Sequence, residues 1–303
     1  MDSKRRFNIW HLSVLFLVAA VIILFVLLSS VVYGVSPTSP IVRTATKVIP
    51  YPAVMVNWQP IWIKEVLVQY DGMMQYYASS GAQGFGYQVP SEEEAFEQVL
   101  DTLIRKEVAY QVADEQGIEA DQELINEFMD GAVVDAGTSE DLVNMLENSF
   151  GWTMEEFREY VMEPMALSQS IEDALLEDEE YQADRLAVAD AALDRIMAGE
   201  DFTAVATEFS DDESAADGGH IGFFAQDELP EEWGAAIFAL EEGGISDVVE
   251  TRYAYGIFLV NKFEEVEGVL EANIYVIGVK KNSIEDLVES ATQEAGIWQW
   301  ISI

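Results

Sequence analysis

The 303-residue chain contains no cysteine. That excludes a disulfide framework, a lipidated cysteine anchor and thiol chemistry, and leaves each folded domain to stand on its apolar core. Histidine is almost missing too, with only His11 and His220 present. A zinc centre therefore lacks ligands, and a Ser-His-Asp hydrolase would have to rely on His220 with no nucleophile elbow around any serine. Basic residues are scarce, 15 Lys and Arg against 56 Asp and Glu, for a formal net charge of −41. Phosphate binding needs clustered positive charge, so nucleic acid is excluded as a partner. The acidity reads first as a solvated surface suited to salty surroundings. Asp211, Asp212 and Asp217 before Gly218 resemble part of a calcium loop, but the alternating ligand spacing and terminal Glu are missing. No metal and no cofactor are expected.

Charge of either sign is absent from Phe7 to Val42. The densest apolar part, Leu12 to Tyr33, gives roughly 33 Å of helix at about 1.5 Å per residue, enough for a membrane span. Lys4, Arg5 and Arg6 precede it and no basic cluster follows. The positive-inside rule then places the N-terminus in the cytoplasm and everything from about Gly34 outside. A cleaved signal peptide is the rival, but its apolar region runs about 7 to 15 residues, and no clear small-x-small site follows Tyr33. The expected localisation is a cell membrane, single-pass.

Half of the residues are apolar and 11% aromatic, enough for real cores, and the length calls for two domains beyond the span. Residues 34–52, with Ser-Pro-Thr-Ser-Pro and Ile-Pro-Tyr-Pro, read as an extended linker. Short β-like runs follow at Val54–Trp58 and Ile61–Ile63. Ser91 and Glu94 form a capping box before Phe96, Val99, Leu100, Leu103, Ile104, Val108 and Val112 at helical spacing. This long helix should end near Gly117, with shorter ones starting near Asp121, Thr138 or Ser139, and Thr153.

The run Val99 to Ala113, Gly117-Ile118 after it, and Phe150-Gly-Trp-Thr-Met-Glu-Glu-Phe-Arg farther on resemble the SurA N-terminal chaperone domain. A second resemblance begins at Ala189: Ala-Gly-Glu-Asp-Phe at 198–202, Phe209-Ser-Asp-Asp, Gly218-Gly219-His220-Ile221-Gly222-Phe223-Phe224, Gly243-Gly244-Ile245-Ser246 and Tyr255 to Val260 are similar to the parvulin (PpiC-type) prolyl isomerases. The domains expected are a cytoplasmic stub and anchor at 1–33, a linker at 34–52, a helical SurA N-like domain at 53–178, a parvulin-like domain at 179–281 and a tail at 282–303 packing back as a helix and a short apolar end. The fold class is α+β, with a four-stranded antiparallel sheet and surrounding helices in the second domain.

The parvulin resemblance implies catalytic roles for Asp212 and Thr251, and a proline pocket of Ile221, Leu229 and Trp233; apolar residues at such spacings also serve as ordinary core. Prolyl isomerisation makes and breaks no bond, so it needs neither nucleophile nor metal. Three departures stand out. Gly256 aligns with a family histidine of the last strand, and His220 replaces a family Asp. The first strand, with its own histidine, is absent before Ala189, where the sequence is helix-like. Glu271 to Lys281 fits that strand and would form an antiparallel hairpin with Gly256 to Phe263, placing Asn273 at the first histidine's position. The implied partners are unfolded or proline-containing exported polypeptides, and the membrane through residues 12–33. Weak isomerase activity is expected; the alternative is a holdase without catalysis.

Overall fold

Alternating and helical periodicities distribute along the chain as seven strands among the described residues: β1 (Pro52–Val56), β2 (Gln59–Trp62), β3 (His220–Ala225), β4 (Val249–Glu250), β5 (Ala254–Val266), β6 (Val269–Lys280) and β7 (Ile297–Gln299). The computed structural model describes residues 9–79 and 89–301, so Lys4, Arg5 and Arg6 lie outside the described residues. By contact the chain divides into two units, Met1–Ser168 with Val288–Ile303, and Gln169–Leu287.

The first unit begins with the helix Ile9–Val32, whose segment Val14–Val32 has a mean hydropathy of 3.1 and is long and apolar enough to cross a membrane. The stretch expected to be an extended linker is partly helical: Pro40–Ala45 forms a short helix with Pro40 in its first turn, where a missing N–H costs nothing. Burial of Val42 and Tyr51 holds this stretch down, and Tyr33 Oη donates to the Pro52 carbonyl at 3.1 Å. The β1–β2 hairpin turns at Asn57 and Trp58, with φ of 49° and 72°, the left-handed pair that a two-residue turn requires. The long helix Glu92–Gln116 starts at the Ser91–Glu94 capping box and stops at Gly117, φ 70°. Phe96, Val99, Leu100, Leu103, Val108 and Val112 form its buried stripe. The end of the chain does more than pack back: β7 pairs antiparallel with β1, completing a sheet of order β2-β1-β7.

In the second unit the four-stranded antiparallel sheet has the order β3-β6-β5-β4. The strand from the C-terminal side, β6, lies in the interior between β3 and β5, joined to β5 by a tight turn at Glu267 and Gly268. One sheet face, with Tyr255, Ile257, Ile277 and Val279, packs on the helices Glu179–Met197 and Phe202–Phe209. The other face, with Phe258, Val260, Ala272, Ile274 and Val276, lies beneath Ile237 of the helix Glu231–Ile237.

Candidate functional site

Strand alternation sends Phe258 and Gly256 to the same face of β5. Phe258 is fully buried, and a Cβ added at Gly256 would stand 2.7 Å from its ring. The aromatic ring thus occupies the space that any side chain at 256 would need. Trp233, from the helix Glu231–Ile237, packs against it with ring centroids 4.9 Å apart. Ile221 from β3 and Leu229 from the turn before that helix join the same apolar cluster. The three residues expected to line a proline pocket therefore converge around a fourth, Phe258. The sequence offered one signal for it, an aromatic two positions beyond Gly256 within the apolar run Tyr255 to Val260.

Across the ladder, Gly256 is paired with Gly278 of β6. The segment before Asp212 is fastened to this second glycine: Gly278 N donates to Ser210 Oγ at 3.0 Å, and Asp211 N donates to the Gly278 carbonyl at 2.7 Å. A Cβ at 278 would meet Asp212 Cβ at 3.6 Å, so Asp212 stands directly over the glycine. Its Oδ1 accepts from Ser214 N at 2.9 Å and Ser214 Oγ at 2.5 Å, capping the short helix Glu213–Asp217. Thr251 is held within its own turn, where Oγ1 donates to the Ala254 carbonyl at 2.9 Å.

The expectation for Asn273 is corrected by the register. Asn273 lies opposite Lys262 and Phe223, five positions along β6 from Gly278, and the alternation sends it to the other face. There it is buried at 5% exposure in a polar chain: Asn261 Nδ2 donates to Asn273 Oδ1 at 3.2 Å, and Asn273 Nδ2 donates to His220 Nε2 at 3.1 Å. The imidazole packs on Tyr275, with centroids 4.7 Å apart. The His220 side chain thus belongs to the face opposite Phe258, and what faces Gly256 is a second glycine. A strand segment predicted correctly still leaves its register open by several residues, because the alternating pattern repeats every two.

The first unit holds a concavity. Gly151, φ 70°, turns the chain so that Trp152 closes on the helix Ile63–Ala78, where a Cβ at Gly72 would come 2.6 Å from Trp152 Nε1. Trp152 stacks on Phe150 at 5.0 Å, Phe150 stacks on Tyr76 at 5.2 Å, and Tyr160 meets Trp152 edge-on at 5.8 Å. With Met73 and Leu103 they line a largely apolar pocket of about 280 Å³. Tyr160 sits in the π-helical turn Arg158–Met162. Burial first, then Glu159, Glu156 and Glu65, push its phenol up to about 12, so it remains a neutral donor across the physiological range. The Phe150-Gly-Trp run marked this region in the sequence, but Tyr76 and Tyr160 reach it only through packing.

The sequence model described as the PPIC-type PPIASE domain matches residues 168–262, and that of the SurA-like N-terminal domain matches residues 4–132. A foldase protein PrsA from Halalkalibacterium halodurans is 33% identical over 202 residues, 56% of this chain and 60% of the relative. Another from Caldanaerobacter subterraneus is 30% identical over 213 residues, 62% of this chain and 65% of that one. The chain thus spans less than two thirds of the length of these curated relatives. A crystal structure of the peptidylprolyl isomerase PrsA from Bacillus anthracis is similar at 18% identity and a TM-score of 0.22, covering 64% of this chain and 86% of that one.

Proposed function

We propose that this PrsA/SurA-like parvulin foldase, carrying a PPIC-type domain behind a SurA-like N-terminal domain, assists exported polypeptides by binding them and catalysing slow prolyl isomerisation. The observation that carries the reading is the convergence of Ile221, Leu229 and Trp233 on Phe258 beside the Gly256–Gly278 pair. Rotation about an X-Pro bond faces a barrier of about 18–20 kcal/mol because it breaks amide resonance. An apolar groove lowers it by gripping the pyrrolidine ring and withholding water, which stabilises the planar amide more than the twisted one. Asp212, above Gly278, is the ionisable group proposed to act on the groove; Thr251 supports the turn after β4. Both positions aligned across the strands are glycine, so no imidazole orients the amide, and turnover is weak.

A protease-coupled assay with a proline tetrapeptide tests this on the full chain in detergent. Wild-type protein should accelerate isomerisation measurably, and Trp233→Ala should lose most of that acceleration. An uncatalysed rate with wild-type protein that still binds the peptide would replace this reading with the second one, a holdase. The aromatic pocket of Tyr76, Phe150, Trp152 and Tyr160 supports that second reading, since it offers apolar contact without any requirement for proline.

A further inference from the structure

The second unit carries a concavity of about 970 Å³ between the helix Glu179–Met197, the end of the helix Glu163–Glu177 that precedes it, and the β4–β5 turn. Its floor includes Leu176, Ala183, Leu186 and Ala187, and its rim carries six carboxylates: Asp173, Glu177, Glu179, Asp190, Glu232 and Glu250. Two cations share the cleft and both are paired, Arg252 with Asp173 at 2.5 Å and Lys281 with Glu250 at 2.6 Å. Glu177, Glu179, Asp190 and Glu232 have no ion-pair partner among the described residues. A second, independent feature is Tyr255. It lines the cleft at 4% exposure with Lys281 Nζ 5.3 Å from its ring centroid, and its hydroxyl has no hydrogen-bond partner among the described residues. The ring is buried while the hydroxyl opens on the cleft, where it can donate to an acceptor supplied from outside.

We infer that this cleft binds an extended polypeptide segment bearing lysine or arginine near the proline held in the groove. The inference rests on the reading of the groove given above. The cleft and the groove lie on opposite faces of the sheet, and Glu250, Thr251 and Arg252 of the cleft wall stand at its β4 edge with Glu232 next to Trp233, so a client strand reaches both sites by passing round that edge. The aliphatic stem of Lys or Arg covers the Leu186 and Ala187 floor while its cationic head meets the unpaired carboxylates. A main-chain carbonyl of the client accepts from Tyr255 Oη.

The test is fluorescence anisotropy on the full chain in detergent micelles, with two labelled proline peptides that differ only in a lysine or an N-acetyl-lysine beside the proline. At low salt the lysine peptide should bind about five- to tenfold more tightly, and the difference should close in 1 M salt, where the Debye length falls to about 3 Å. Glu179→Gln and Asp190→Asn should each reduce the preference by about two- to fivefold, as for partly exposed ion pairs, leaving the acetylated peptide unaffected. Tyr255→Phe should weaken both peptides without lowering the melting temperature, because the hydroxyl makes no bond in the free protein. Asp130→Asn with Asp135→Asn, on the exposed side of a helix in the first unit, controls for general acidity. Equal binding of the two peptides, or an equal loss of preference in the control pair, overturns the cleft assignment alone. Failure of both peptides to bind overturns the groove reading along with it.

Discussion

A single position, 256, links the chemistry of the groove to its packing. Glycine there leaves room for the Phe258 ring, which is fully buried and against which Trp233 leans. Under the proposed function, glycine at 256 favours apolar volume that can grip a proline ring over a polar side chain that could orient an amide. Adding one methyl group should therefore be costly. Gly256→Ala, with its Cβ 2.7 Å from the ring, should destabilise the second unit by about 1–3 kcal/mol, the usual range for overpacking. Gly256→Ala combined with Phe258→Leu should recover most of the loss in a thermal melt. If Gly256→Ala alone melts as wild type, the ring is not confined there. Gly278, the residue across from it, was invisible to sequence reasoning because its importance depends on a register that hairpin signals leave open.

At the scale of the element, β6 is the strand on which the second unit depends. Its existence was legible, since Ala272 to Val279 is an apolar and β-branched run following β5 by a short acidic turn, and an open sheet edge otherwise lacked an occupant. The capping boxes at Ser91 and Thr153 were legible for a similar reason, each being a local hydrogen-bonding pattern written within four residues. The convergence of Ile221, Leu229 and Trp233 could be anticipated from resemblance, whereas the Asn261–Asn273–His220 chain could not, because it joins three strands through side chains. Interior position makes β6 testable. Val276 N donates to the Gly219 carbonyl at 2.7 Å, a bond that proline cannot make. Val276→Pro should abolish the cooperative unfolding transition of the second unit, since the orphaned carbonyl alone costs about 1–3 kcal/mol. A retained transition at the wild-type temperature would show that β6 is dispensable.

For the whole molecule, the helix Ile9–Val32 is long and apolar enough to cross a membrane, and we propose that it anchors the chain. With that helix as an uncleaved anchor and the basic residues Lys4, Arg5 and Arg6 held on the cytoplasmic side, both units would face the outside. Protease added to intact, wall-stripped cells should then remove both units, and protection of either one would reject this topology. The pairing of β1 with β7 adds a constraint of timing. Asn57 N reaches the Gly296 carbonyl at 3.0 Å, a closure spanning most of the chain, and long-range pairings of this kind form late. While the chain is being made, residues 169–287 can complete their own sheet, but β1 must wait with one edge open. Because β7 is made only after residues 169–287, a chain interrupted before Ile297 would leave β1 with an unpaired edge for proteases to find.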